Sequence, residues 1–126
     1  MAEFNKDIVK LTLDNKNFRK EILTEKHSQV VLMSIEPGDE IGEETHKVDQ
    51  VLVFVAGEGH AVLDGKKSIV KPNSMVVVPA GTKHNFINDR GEEPLKLYTI
   101  YSPPEEEPGT LHKTKAEADA AEAEEE

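Results

Sequence analysis

Short apolar, β-branched runs cut at close intervals by turn residues leave this chain few ways to fold. Segments 18–23, 28–35, 50–56, 61–63, 68–70, 75–78, 86–87 and 95–101 carry most of the Val, Ile, Leu and Phe of the chain. Between most of them stand Pro37-Gly38-Asp39, Gly57-Glu58-Gly59, Asp64-Gly65, Pro72-Asn73 and Pro79-Ala80-Gly81. Strand-length runs bounded by such clusters predict a sandwich or barrel of about eight to ten strands. Asp64-Gly65 is a hairpin signal, because both central residues of a two-residue turn need positive φ. Segment 8–13, Ile-Val-Lys-Leu-Thr-Leu, alternates in polarity and reads as a first strand. Segment 50–56 is nearly all apolar and reads as a strand buried on both faces. No stretch up to residue 102 has helical periodicity.

With 126 residues the chain makes one domain with one core. It has no cysteine, which excludes disulfides, thiolate nucleophiles and cysteine zinc sites. The net charge is −10, and the last twelve residues hold six acids against one Lys. Such a charge repels phosphate backbones and argues against a nucleic-acid partner. The start has neither the basic opening nor the apolar stretch of a signal peptide, and no run suits a membrane span, so a cytoplasmic location is expected. After Ser102-Pro103-Pro104 the composition shifts, giving an expected barrel over 1–104 and an acidic tail over 105–126. Thr114 and Glu117 form a capping box before an Ala/Glu-rich segment, which predicts a short, frayed or disordered helix over 115–123.

Four side chains stand out as potential metal donors: Glu44, His46, Gln50 and His84. Residues two apart on an extended chain face the same way, so Glu44 and His46 can point inward together. Gln50 opens the next strand, with Leu52 and Phe54 continuing its inward face. His84 follows a Pro-x-Gly bend and can arrive from a neighbouring strand. The competing reading pairs Glu44 with Lys47 or Lys83 at the barrel mouth. Asp49 is read either as an acceptor orienting an imidazole or as a turn carboxylate.

Two motifs resemble those of the cupin superfamily. Gly38, His46 and Gly57 fall at the spacing of the first motif, and Pro79, Gly81, His84 and Asn88 at that of the second. Glu44 stands where the first motif has its first His, Gln50 where it has Glu, and Asn73 where the second motif opens with Gly. The likeness extends through "PGDEIGEETH", "EPLKLYTIYSPP" and "HKTKAEA" and is similar to a group of small prokaryotic cupins called mannose-6-phosphate-isomerase-like. It implies an all-β, antiparallel barrel of the short jelly-roll type. It also implies a divalent transition metal (iron, manganese, nickel, cobalt or zinc) held by Glu44, His46, Gln50 and His84. The resemblance further implies a homodimer, with segment 8–13 as the pairing strand.

Three functions follow as expectations. The first is Lewis-acid chemistry on a small oxygen-rich molecule (a sugar, sugar phosphate or keto acid), with Glu44 or Asp49 moving a proton. The second is dioxygen activation by iron, which two histidines and one carboxylate suit. The third is non-catalytic metal or ligand binding. His27, His60 and His112, and the run Glu105-Glu106-Glu107, read as solvated. Leu52, Phe54, Met75, Val77 and Phe86 read as core or cavity lining, and Tyr98 and Tyr101 as sharing one strand face.

Overall fold

A computed structural model describes residues 4–125. In chain order the elements are α1 (Ile8–Asp14), β1 (Arg19–Thr24), β2 (Gln29–Ile35), β3 (Asp49–Ala56), β4 (Gly59–Leu63) and β5 (Lys66–Val70). They continue with β6 (Met75–Val78), β7 (His84–Ile87), β8 (Leu95–Ser102), β9 (Leu111–His112) and α2 (Lys115–Glu125). One sheet has the order β6-β3-β8-β2-β1-β9 and the other β5-β4-β7, and the pairings within both are antiparallel. The fold is thus an all-β jelly-roll barrel with a short C-terminal helix.

Period-two alternation builds the core. Along β3 the buried residues are Gln50, Leu52 and Phe54, and along β8 they are Leu95, Leu97, Thr99 and Tyr101. Val31, Met33 and Ile35 join them from β2, and Ala61 and Phe86 from the smaller sheet. Each apolar side chain removed from water there contributes about 1.5–3 kcal/mol. The predicted two-sided burial of β3 is corrected: its odd-numbered valines, Val51, Val53 and Val55, are only half-buried. Met75 and Val77 of β6 face outward and are exposed, so they line no cavity. Tyr98 and Tyr101, three residues apart, lie on opposite faces of β8, and Tyr101 alone points inward.

Turn chemistry agrees with the sequence where it matters most. Asp64 and Gly65 have φ of 48° and 82°, as the two-residue hairpin requires. Asn73, in a glycine position of the motif, has φ of 78°, a region that Asn tolerates better than most residues. A Cβ at Gly57 would lie 2.5 Å from the carbonyl oxygen of Pro94, so only glycine lets the two chains pass.

The first predicted strand is a helix. Asp7 caps α1 by accepting from the Lys10 amide at 3.1 Å, and Thr12 is its buried residue. A six-residue apolar run fits either period, and here a side-chain cap and packing on the large sheet decide for the helix. Lys96, on the outward face of β8, holds its C-terminal end by donating to Leu13 O at 2.8 Å and Asn15 O at 2.7 Å. The chain after residue 104 also departs from a solvated tail. Gln29 Oε1 accepts from the amides of Glu105 and Glu106, β9 extends the large sheet beside β1, and Ala118 of α2 is buried with the core. The capping box forms as predicted, Glu117 N donating to Thr114 Oγ1 while Glu117 Oε2 accepts from Thr114 N.

Candidate metal centre

The strand-like stretch before β3 delivers the first two donors. Glu44 and His84 form a reciprocal antiparallel bridge, Glu44 N to His84 O at 2.8 Å and His84 N to Glu44 O at 2.9 Å. Gly81 N donates to His46 O at 2.8 Å, tying the Pro-x-Gly bend to the same stretch. These backbone bonds bring both motif segments alongside each other and hold their side chains on one side of the barrel wall.

Glu44, His46 and His84 each offer one donor atom, and these atoms lie within 4.8 Å of one another. The His46 and His84 rings are 5.1 Å apart between centroids, and the edge of Tyr101 packs 5.7 Å from His46. His84 is fully buried, and its Nδ1 is 2.8 Å from the carbonyl oxygen of Thr82. A carbonyl only accepts, so Nδ1 carries a proton there and Nε2 is the nitrogen left to present a lone pair. That Nε2 is buried and has no hydrogen-bond partner among the described residues; the same is true of His46 Nε2. Orphaned buried nitrogens are costly unless something completes them.

Gln50 adds a third orphan. Its Nε2 donates to Thr99 Oγ1 at 3.1 Å and Tyr101 OH at 3.3 Å, which fixes the amide and leaves Oε1 buried without a donor. Asp49 is not brought into the group. It is exposed at the start of β3, and its Oδ1 accepts from Ala80 N at 2.9 Å, bracing the Pro-x-Gly bend from outside. Neither Lys47 nor Lys83 claims Glu44: Lys83 pairs with Glu43 at 3.5 Å, while Glu44 Oε1 lies 3.6 Å from His46 Nε2.

Charges around the group are coupled. Burial pushes the Glu44 carboxyl up, but the neighbouring His46, Arg19 and His84 outweigh it and leave Glu44 below its ordinary value. Burial pulls His46 down, and Glu44, Glu105 and Glu106 more than reverse it, so His46 is raised. Glu105 Oε2 stands 3.5 Å from His46 Nδ1. A carboxylate in that position orients an imidazole and increases its basicity as a ligand.

Beyond the donors lies a cavity of about 410 Å³ that the motifs do not reveal. Arg19 of β1, Glu105 to Glu107, His112 of β9 and Glu122 of α2 line it together with Glu44 and His46. The predicted solvated loop is corrected at Glu106, which is half-buried 3.5 Å from Arg19 Nε, with burial raising its carboxyl despite that guanidinium, while Glu105 and Glu107 stay exposed. His112 Nδ1 lies 3.3 Å from Arg19 Nη1. His60, also expected to be solvated, pairs with Asp89 at 2.6 Å on the other sheet, and that contact holds Asp89 below its ordinary value. No local pattern marks Arg19 as inward-facing. Its place follows from β9 and α2 folding back over the barrel mouth.

Comparison with known proteins agrees with this architecture. Residues 31–101 match the cupin domain family. The uncharacterized protein YrkC of Bacillus subtilis is 46% identical over 123 residues, covering 92% of this chain and 66% of its own length. Protein L612 of Acanthamoeba polyphaga mimivirus is 38% identical over 104 residues, 79% of this chain and 65% of its own. The chain thus spans a little under two thirds of these relatives. The crystal structure of BH2720 from Bacillus halodurans superposes with a TM-score of 0.92 at 40% identity, covering 94% of this chain and 95% of that one. KdgF from Halomonas shares the fold at 22% identity and a TM-score of 0.65, over 70% of this chain and 79% of its own. With both motif segments inside the matched region and the jelly-roll barrel around them, the chain belongs to the cupin family.

Proposed function

We propose that this protein is a metal-dependent small cupin that acts on a small oxygen-rich metabolite, of the class of a sugar, sugar phosphate or keto acid. One observation carries the reading: a carboxylate and two imidazoles converge to within 4.8 Å, and both imidazole Nε2 atoms are buried with no hydrogen-bond partner among the described residues. Glu44, His46 and His84 would hold a divalent transition metal, with Gln50 Oε1 as a neutral fourth donor. Bound there, the metal supplies Lewis-acid polarisation of adjacent substrate oxygens. The chain's own residues do the rest. Thr82 O sets the His84 tautomer, Glu105 steadies His46, and Tyr101 with Thr99 aims the Gln50 carbonyl. Glu44 is the one carboxylate of the group and moves a proton if the reaction calls for it; Asp49 serves the bend instead.

The mannose-6-phosphate-isomerase-like subgroup is part of the proposal, as is a cytoplasmic setting. The division at residue 104 is also part of the proposal, with 4–104 as the barrel and 105–125 closing its mouth among the described residues. Among the described residues no helix is long and apolar enough to cross a membrane. We also propose a homodimer, through the outward face of the large sheet rather than through a strand at 8–13. Met75 and Val77 of β6 and Val9 and Leu13 of α1 expose apolar side chains. Light scattering should give twice the chain mass and Val77→Glu should reduce it; a monomeric mass at high concentration would count against the dimer.

The two-histidine, one-carboxylate set also favours a second reading, non-haem iron dioxygenase chemistry. Turnover assays separate the two. Isomerisation or epimerisation by the manganese-loaded protein under anaerobic conditions supports the first. Substrate-dependent oxygen uptake confined to the ferrous form supports the second. Stoichiometric metal with no turnover of any compound in these classes contradicts both and leaves a binding module.

A further inference from the structure

The cavity in front of the donor group has a wall chemistry that narrows what it admits. Five carboxylates face it, from Glu44, Glu105, Glu106, Glu107 and Glu122, against one guanidinium, that of Arg19. Arg19 is 4% exposed, and its Nε has no hydrogen-bond partner among the described residues, its ion-pair partner Glu106 Oε1 standing at 3.5 Å. That guanidinium lines the same cavity as Glu44 and His46, and its Nε–H is held by an ion pair with Glu106 rather than by a hydrogen bond. Even with a divalent cation bound, five negative charges against three positive leave the cavity acidic. An incoming phosphate or carboxylate meets that surplus, screened in part because Glu105, Glu107 and Glu122 are exposed.

We propose that the cavity takes an uncharged ligand bearing hydroxyl and carbonyl groups, with Arg19 donating to one of its oxygens and the carboxylate wall excluding phosphorylated and carboxylated compounds. The inference rests on the metal reading above and selects the free sugar-like members of that substrate class. Hydroxyls suit such a wall because they donate to carboxylates, while the same ligand's oxygens accept from Arg19 and reach the metal. A cationic ammonium group meets no repulsion from the wall, but it is a donor only and gives Arg19 nothing to donate to.

Zinc-loaded protein, verified for metal content, provides the test. The Arg19 Nε–H resonance is followed by nitrogen–proton NMR during titration with three small ketones: dihydroxyacetone, its phosphate and aminoacetone. Dihydroxyacetone is expected to shift the resonance saturably and to bind at least about tenfold more tightly than the phosphate, the scale of one to two unscreened charges. Glu107→Gln/Glu122→Gln should narrow that gap several-fold, and raising the salt should narrow it in the wild type. Tighter binding of the phosphate or of aminoacetone overturns the proposal while leaving the metal site standing, as does the absence of a saturable shift with dihydroxyacetone. Failure to load zinc above the level of His46→Ala/His84→Ala overturns the metal reading, and this inference with it.

Discussion

His46 is the residue on which most of the local chemistry converges. Its Nε2 faces Glu44 at 3.6 Å, its Nδ1 faces Glu105 at 3.5 Å, and Tyr101 closes one edge of the ring. Glu105 therefore acts through the imidazole as a positioning residue. Glu105→Gln keeps the shape and removes the charge, and should weaken metal binding by roughly 10- to 100-fold. Competition against a chelator of known affinity would measure it; an unchanged affinity would show that Glu105 only lines the cavity. At this scale much was legible beforehand. The convergence of Glu44, His46 and His84 was legible from the motif resemblance together with extended-chain alternation, which puts residues two apart on one face. Arg19, Glu106 and Glu122 were not, since each reaches the cavity through packing between segments distant in sequence.

Among the elements, α1 shows how weakly a short run specifies its period. Ile-Val-Lys-Leu-Thr-Leu suits strand and helix alike, and two tethers decide it. Asp7 caps the start, and Lys96 of β8 receives the last carbonyls of the turn. Charged donors at a helix C-terminus are favourable on both hydrogen-bond and dipole grounds. Lys96→Met keeps the aliphatic stem while removing both bonds, and should lower stability by about 1–2 kcal/mol. Urea unfolding of the metal-free protein would register the loss; an unaltered midpoint would mean α1 is held by its apolar contacts alone. By contrast the Asp64-Gly65 hairpin and the Thr114/Glu117 capping box were readable, because their signals are local. The packing of α2 was not: its few apolar residues are alanines, of which Ala118 is buried with the core.

For the molecule as a whole, the charged groups gathered at the cavity make stability depend on pH in a definite direction. Glu106 and Glu122 are raised, chiefly by burial, so the folded chain keeps their protons longer and loses stability as pH rises through their folded values. His46, in which the neighbouring carboxylates overcome burial, contributes fully below its unfolded value of 6.5 and loses that contribution as pH rises. Glu44, lowered by its cationic neighbours against the effect of burial, contributes above 4.5 and loses it as pH falls. The metal-free protein should therefore melt highest in the interval between 4.5 and 6.5. Glu106→Gln should flatten the decline toward alkaline pH, and thermal scans across that range would show it. A metal-free melting temperature that climbs steadily to pH 8 would contradict this assignment of charges.

Metal content is the most direct measure of the central claim. Protein purified without chelator, and after loading with a divalent transition metal, is compared by elemental analysis with His46→Ala/His84→Ala. About one ion per wild-type chain is predicted, with near-complete loss in the double variant. Equal metal in the two proteins, or none in the wild type after loading, would contradict it.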